Sequence, residues 1–320
     1  MPHVFLRPHG NLGNHMLLQM TALCLVREVP NLTLSGYNIP EWGITKGRVR
    51  NNRPPLPRIR GHDTDYGCVV EMLKSGDLEL AILRDIAFQV DLYGDPSVFR
   101  DVFPQQVTPA QTAGEGELLI NVRGAEILKA RSTAYGPINV AYYERLVEET
   151  GLSPVFLGQL GDEYNTDLLK KRFPKARFIP SQGAIADFEA IRGARHIAVS
   201  ISTFSWLAAW LSEAETIHLP LIGMLNPRQR PDIALAPAND PRYRFHLFPE
   251  REWVGNDSQI NALAGPDPSR EITRIELRTL LQDARESRAK PRADALERLR
   301  KRAQKVRPFV PILRRLYPTG

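Results

Sequence analysis

The chain has 320 residues, 42% of them apolar, enough for two domains of ordinary size with a substantial core. No run of about 18 uncharged apolar residues occurs, and the opening "MPHVFLRPHG" lacks the parts of a secretory leader, so a soluble cytoplasmic protein is expected. Two cysteines, Cys24 and Cys68, exclude a disulfide-dense scaffold or a zinc cluster and are expected to be reduced core residues.

The net charge of +6 is uneven. After Ala284 there are twelve Lys and Arg against three Asp and Glu, a surplus of nine, which leaves the preceding residues at about −3. The basic character therefore belongs to a tail, and the body carries no nucleic-acid signature.

In chain order, "HVFLRPHGNLGNHMLLQMTALCLVREV" predicts a short strand, a glycine-containing turn and a helix starting near Asn14. The proline- and arginine-rich "RVRNNRPPLPRIRGHDTDYG" predicts a long loop. Helical and strand segments follow up to "TPAQTAGEGE", the best linker candidate, which places a domain boundary near Gly114. Beyond it, "LLINVRG", "PVFLGQ", "RFIP", "HIAVSI" and "TIHLPLI" predict strands. They alternate with helices at "NVAYYERLVEETG", stopped by Gly151, "TDLLKKRFP", "AIADFEAIRGA" and "SWLAAWLSEA". That alternation implies a parallel sheet with helices on both faces. The stretch "NPRQRPDIALAPANDPRYRFHLFPEREWVGND" reads as loop that shapes an acceptor site, and from Ile272 onward two helices are expected with Pro291 between them. The organisation is thus α/β over 1–113, α/β over 114–271 and a basic helical tail over 272–320.

Ligands of such sheets bind outside the carboxyl ends of the strands, which brings residues 121–126 and 200–205 to one rim. The run "SISTFSWLAAWL" places Ser200, Ser202, Thr203 and Ser205 at a strand-to-helix junction. One hydroxyl is explained as a helix cap. Four at a helix N-terminus also suit a phosphate, and both readings stand. Arg123 follows the strand "LLINV" and can clamp a diphosphate bidentately or pair with Glu126 or Glu144. "GNLGN" at 10–14 fits neither the dinucleotide-binding nor the Walker pattern. Asp63 and Asp65 read as solvated turn residues rather than metal ligands. The seven histidines show no metal-ligand spacing, and Ser205 lies outside a G-x-S-x-G elbow.

Three of these segments, in this order, resemble glycosyltransferase family 11, the bacterial and animal alpha-1,2-fucosyltransferases. The family's G-G-L-G-N-Q-M-F-Q is matched by "GNLGNHMLLQ", its H-x-R-R-G-D-Y by "NVRGAEI", and its N-S-S/T-F-S-W-W-x-A-x-L by "ISTFSWLAAWL". The likeness runs from about Met1 to Pro227. It implies a GT-B-like fold of two Rossmann-like domains facing across a cleft, GDP-fucose as donor, inversion at the sugar carbon, and no metal or other cofactor. It assigns the diphosphate to Arg123, a guanine contact to the position of Asn121 and a nucleoside contact to Asp187. Ser202, Thr203 and Ser205 take the beta-phosphate, and Gly13 and Asn14 approach from the first domain. Gly124, Ala125, Glu126 and Leu207 depart from the family's arginine, glycine, aspartate and tryptophan, which leaves another GDP-sugar open as donor.

The expected reaction is inverting sugar transfer to a glycan or lipid-linked glycan in polysaccharide or lipopolysaccharide assembly. Arg123 stabilises the leaving group, and Glu126 either serves as base or orients Arg123. The alternative is a noncatalytic nucleotide-sugar or glycan-binding protein on the same scaffold. For the tail, one reading is a charged helix packed back on the domains. The other is peripheral docking on the anionic inner face of a membrane, with Phe309, Ile312, Leu313, Leu316 and Tyr317 as anchors.

Overall fold

The computed structural model describes residues 1–46, 56–124, 127–128, 132 and 135–316. The chain divides into two compact units, Met1–Asp95 with Arg285–Gly320, and Pro96–Ala284.

Unit 1 begins with β1 (His3–Leu6), α1 (Leu12–Glu28), β2 (Thr33–Ser35) and a small hairpin of β3 (Tyr37–Ile39) and β4 (Ile44–Lys46). It continues through β5 (Arg58–Ile59), α2 (Tyr66–Lys74), β6 (Leu80–Leu83) and α3 (Val90–Tyr93). Its four-stranded sheet has the order β2-β1-β6-β5 and is parallel throughout. Every residue of β1 and β6 is buried, as strands covered on both faces require. His3 is tolerated there because Thr33 Oγ1 and Ser35 Oγ meet its ring nitrogens at 2.7 and 2.9 Å. Burial, then the charges of Lys46 and Arg314, push its pKa down to about 4.

Unit 2 opens with α4 (Ser97–Val102) and β7 (Glu117–Val122), followed by α5 (Val140–Thr150), β8 (Ser153–Gly158), α6 (Tyr164–Arg172), β9 (Arg177–Pro180) and α7 (Ala184–Arg192). Then come β10 (His196–Ala198), α8 (Thr203–Leu211), β11 (Thr216–Leu221), β12 (Tyr243–Leu247), α9 (Asp257–Asn261), β13 (Arg270–Ile272) and α10 (Arg274–Ser287). The sheet order is β13-β12-β11-β10-β7-β8-β9, with only β13 antiparallel. From the central β7 the chain winds outward through β8 and β9, then returns to the other side of β7 at β10 and winds out through β11 and β12. Counted from β9, this is the doubly wound order 3-2-1-4-5-6, whose direction reverses between β7 and β10.

Both units are the parallel α/β folds that the alternation predicts, but several boundaries move. Residues 96–113 belong to unit 2, so "TPAQTAGEGE" is no free linker. The Gln106 amide donates to Glu189 Oε1, the Gln111 amide to Gln182 Oε1 and Thr112 Oγ1 to the Ala190 carbonyl, strapping the segment along α7. The stretch expected to be loop contains β12, which the flanking prolines concealed. Cys24 is buried and Cys68 half-buried, both free thiols, and burial raises the Cys24 pKa to about 11.

The tail is likewise redistributed. Residues up to Ala284 stay with unit 2, and α11 (Ala289–Val306) and α12 (Val310–Leu316) join unit 1. Pro291 lies in the first turn of α11, where its missing N–H costs nothing, so the break between helices falls at Arg288. Val306 and Val310, with Leu313 partly buried beside them, form one cluster with Phe5, Leu56, Leu80 and Ile82. The tail helices therefore cover one face of unit 1's sheet. Leu316 and Tyr317, two of the expected membrane anchors, lie outside the described side chains.

Candidate functional site

The carboxyl ends of β7 and β10 flank the point where unit 2's winding reverses, the place where open α/β sheets bind ligands. Asn121, Arg123, Ser200, Ser202, Thr203 and Ser205 gather here from two segments distant in sequence. Glu126, expected as base or as partner of Arg123, lies outside the described residues.

Arg123 emerges half-buried just beyond β7. Its Nη1 donates to the Ile201 carbonyl at 3.3 Å, and its guanidinium lies over the Tyr135 ring, 5.8 Å from the centroid. Arg123 is thus held against the loop that opens α8. Glu144, one of its two expected carboxylate partners, instead accepts from Arg172 Nε and Nη2, each at 2.6 Å. Tyr135 went unnoticed in the sequence because it stands outside every motif.

The hydroxyl run divides into two groups. Ser202 is the N-cap of α8, its Oγ accepting from the Phe204 amide at 3.2 Å, and Thr203 is half-buried at the helix's first position. These two stand at the positive end of the helix dipole, the position expected for a phosphate seat. Ser200 and Ser205 face inward. Ser200 Oγ donates to Asn121 Oδ1 at 2.6 Å and lies 3.0 Å from Ser205 Oγ, and Ser205 is fully buried. Asn121 Nδ2 donates to the Leu157 carbonyl at 3.2 Å. The structure accordingly places Asn121 and Ser205 beneath the rim, joining β7, β8 and the β10–α8 loop, with both ends of the Asn121 amide engaged.

Asp187 is buried in the first turn of α7. Its carboxylate accepts from Ser181 Oγ at 2.5 Å and from the Gln182 amide at 2.7 Å, shaping the loop that leaves β9. Its neighbour Phe188 packs edge-on against Phe204 in the first turn of α8, with ring centroids 5.4 Å apart. Asp187 thus belongs to the same rim, and its direct role is to hold a turn.

Gly124 stands where the family motif has arginine, and the backbone explains why. A Cβ there would lie 2.6 Å from the Gln159 carbonyl oxygen, while the Gly124 amide takes Gln159 Oε1 at 3.1 Å. On the facing strand, Gly158 has φ 133, and a Cβ on it would lie 2.4 Å from the Val122 oxygen. The ends of β7 and β8 approach too closely for a side chain on either glycine.

The far end of α8 is fixed by two arginines. Arg100 donates to the carbonyls of Leu211 and Ser212 at 2.8 and 2.9 Å, and Arg242 donates to those of Ser212 and Trp210 at 2.5 and 3.3 Å. Cations at a helix C-terminus satisfy its orphan carbonyls and complement its dipole. Trp206 and Trp210 stack along the buried face, and Trp206 Nε1 donates to the Leu235 carbonyl at 2.7 Å. The helix that presents Ser202 and Thr203 is thereby locked in place.

In unit 1, the "GNLGN" loop occupies the corresponding place after β1. Gly10 adopts φ 75, and a Cβ on it would meet Asn14 Nδ2 at 2.4 Å, so the Asn14 amide lies against the turn. Gly13 is buried in the first turn of α1, which starts at Leu12, two residues before the predicted start. Asp63 and Asp65 are not solvated turn residues. Asp63 pairs with Arg288 at 2.8 Å, and Asp65 caps α2 by accepting from the Cys68 amide at 3.0 Å. Among the described residues, no group of three or more His, Cys, Asp and Glu side chains is placed to hold a metal ion, and no helix is long and apolar enough to cross a membrane.

No protein-family model matches the chain, and no curated protein is similar to it in sequence. Among solved structures, the chain is similar to a point mutant of FUT1 from Arabidopsis thaliana in complex with GDP. The TM-score is 0.41 and the identity 11%, over 68% of this chain and 70% of that one.

Proposed function

We propose that the chain is a metal-independent, inverting glycosyltransferase that moves a sugar from a GDP-linked donor to a glycan hydroxyl in polysaccharide or lipopolysaccharide assembly, with GDP-fucose as the donor its motifs favour. The observation that carries this reading is the place of Arg123. It stands at the reversal point of a 3-2-1-4-5-6 sheet, within hydrogen-bond reach of the loop that opens α8, beside the Ser202 cap and Thr203.

In this reading the bond from the anomeric carbon to the beta-phosphate oxygen breaks as the acceptor oxygen attacks from the opposite side of the sugar. The charge that grows on the departing diphosphate falls to Arg123, to the first-turn amides of α8 and to Ser202 and Thr203. The acceptor proton passes to a carboxylate, for which Glu126 is assigned. Asn121, Ser205 and Asp187 hold the rim that positions these groups. Gly13 and Asn14 are assigned to the donor by the likeness of "GNLGN" to the family 11 motif alone.

Calorimetric titration with GDP, GDP-fucose and GDP-mannose, followed by a donor-hydrolysis assay with and without EDTA, tests the reading. Binding with EDTA-insensitive release of sugar is expected. Binding without any turnover would favour the noncatalytic nucleotide-sugar protein, and no affinity for any GDP compound would reject both.

Peripheral contact with an anionic membrane belongs to the same proposal, since Phe309 and Ile312 are 57% and 58% exposed beside the tail's basic residues. Vesicles containing anionic lipid should retain the protein, and the double substitution Phe309→Ser with Ile312→Ser should release it. Equal retention of both forms would remove the membrane from the proposal.

A further inference from the structure

The sheet of unit 1 ends in a row of arginines. Leu6 of β1 and Ile59 of β5 both stand level with Leu83 of β6. The next residue in each strand is arginine: Arg7, Arg60 and Arg84. The strand pairing continues one step into this row, because the Arg7 amide donates to the Leu83 carbonyl at 3.0 Å and the Arg84 amide to the Ile59 carbonyl at 3.3 Å. The three arginines are therefore level across adjacent strands, roughly 4.8 Å apart from strand to strand. Arg58 lies two residues before Arg60, and positions two apart share a face of a strand. Like charges placed opposite one another on neighbouring strands destabilise a sheet.

A cavity of about 610 Å³ opens beside this row, between β5, the loop leading to α2, and α11. That volume lies in the range of small-ligand sites. Six arginines line it, Arg58, Arg60, Arg288, Arg292, Arg298 and Arg302, against three aspartates. Two of the aspartates are committed, Asp63 to Arg288 and Asp65 to the cap of α2. The third, Asp294, is exposed on α11. Arg298 and Arg302 are one helical turn apart and share a side of α11. Among the described residues, Arg58, Arg60, Arg298 and Arg302 have no carboxylate within ion-pairing distance. Arg292 Nε is buried with no hydrogen-bond partner. Outside the cavity lining, Arg84 lies 3.8 Å from Asp85. Burial and then repulsion from Arg60, Arg7, Arg302 and Arg84 lower the pKa of Arg58.

We propose that this cavity binds a multiply charged oxyanion group, phosphate or diphosphate, carried by the acceptor. Planar guanidiniums in a concave wall recognise such groups bidentately. The identification of the carrier as the acceptor rests on the glycosyltransferase reading, and the binding of the anion does not.

The test is titration of the full-length protein with inorganic pyrophosphate in saturating GDP, for the native chain and for Arg60→Gln with Arg302→Gln. Both residues are exposed, so the exchange leaves the core untouched. The native chain should bind pyrophosphate with an affinity that falls as salt rises, and the double variant should bind at least roughly tenfold more weakly. Its melting temperature should hold or rise, because repulsion is relieved while a binding site is lost. Absence of pyrophosphate binding in the native chain, equal binding by both forms, or a preference for a DNA duplex over pyrophosphate would overturn the proposal. The source of the anion is read by transfer kinetics. For a phosphorylated glycan acceptor the double variant should raise KM and leave kcat unchanged, with no change for a neutral glycan. An equal rise in KM for both acceptors would overturn the assignment to the acceptor. If no GDP compound binds, the donor reading fails alone, and titration without GDP still decides the arginine site.

Discussion

The hydroxyl of Ser200 donates to the side-chain oxygen of Asn121 at 2.6 Å, tying the end of β10 to the end of β7 at the point where the winding of unit 2 reverses. With Ser205 against Ser200 and Leu157 accepting from Asn121, one buried network spans three strand ends. Ser200→Ala leaves the Asn121 oxygen without a donor in a site that water does not reach. The expected cost is about 1 to 3 kcal/mol, measured by urea denaturation, with a weaker secondary loss of nucleotide affinity. A variant as stable as the native chain would show that the network does not hold the rim.

Arg123→Ala removes the guanidinium but little buried surface. Loss of one group that stabilises transition-state charge costs about 2.7 to 4 kcal/mol, so sugar transfer should fall by roughly 100-fold or more at a nearly unchanged melting temperature. Arg123→Lys should recover little, because the ammonium lacks the planar fork. Normal transfer by the alanine variant would end the assignment.

Placing at position 124 the arginine of the motif that "NVRGAEI" resembles should harm the protein rather than improve it. The new Cβ would meet the Gln159 carbonyl at 2.6 Å, a backbone atom that cannot move without displacing the end of β8. Gly124→Arg and Gly124→Ala should both lower stability, by about 1 to 3 kcal/mol, as overpacking does. Thermal unfolding measures the loss, and an undiminished melting temperature for Gly124→Ala would mean that the strand ends separate easily.

His218 and His246 face each other inside unit 2, with Nδ1 of the first and Nε2 of the second 3.1 Å apart. Burial, followed by the neighbouring positive charges of Arg244 and Arg145, pushes the His218 pKa down to about 4. Burial, followed by His218 and then Arg145 and Arg244, pushes that of His246 to about 2. The unfolded chain takes up these protons near pH 6.5, before the folded chain does, so stability is complete above that pH and falls as pH drops. For His218 the loss runs from about 6.5 to about 4, and it amounts to a few kcal/mol for the pair. Urea denaturation at pH 7.5 and pH 5 should show it, and His246→Phe should flatten the dependence. A pH-independent midpoint would mean that the pair is not buried in neutral form.

The regular part of unit 2 was legible because β7, β8, β10 and β11 lie in largely apolar runs bounded by turn residues, and Gly151 ends α5 in the left-handed conformation. The rim on which the candidate residues gather was legible as a location, since it is made of strand ends and helix starts. The direction each side chain takes was not legible. Nothing in "SISTFSW" separates Ser202, which caps the helix, from Ser205, which turns inward, because both are small hydroxyls at one junction. β12 was missed because Pro241 and Pro249 punctuate it and Arg244 breaks its apolar pattern on the exposed face. The fate of the tail was hidden for another reason. Its stripe of Leu299, Ala303 and Val306 fits a membrane surface as well as it fits the face of a sheet, and only the partner decides.

That stripe bears on the order in which the chain assembles. Unit 2 is continuous in sequence, whereas unit 1 draws Phe5, Leu80 and Ile82 from one end of the chain and Val306 and Val310 from the other. On a ribosome those strands emerge before unit 2, yet the helices that cover them are made after it. Unit 2 therefore has all of its own core available while the first strands still expose apolar side chains, the condition that invites aggregation or a chaperone. Unit 1 finishes folding after unit 2, when α11 arrives and brings Arg298 and Arg302 to the edge of the sheet.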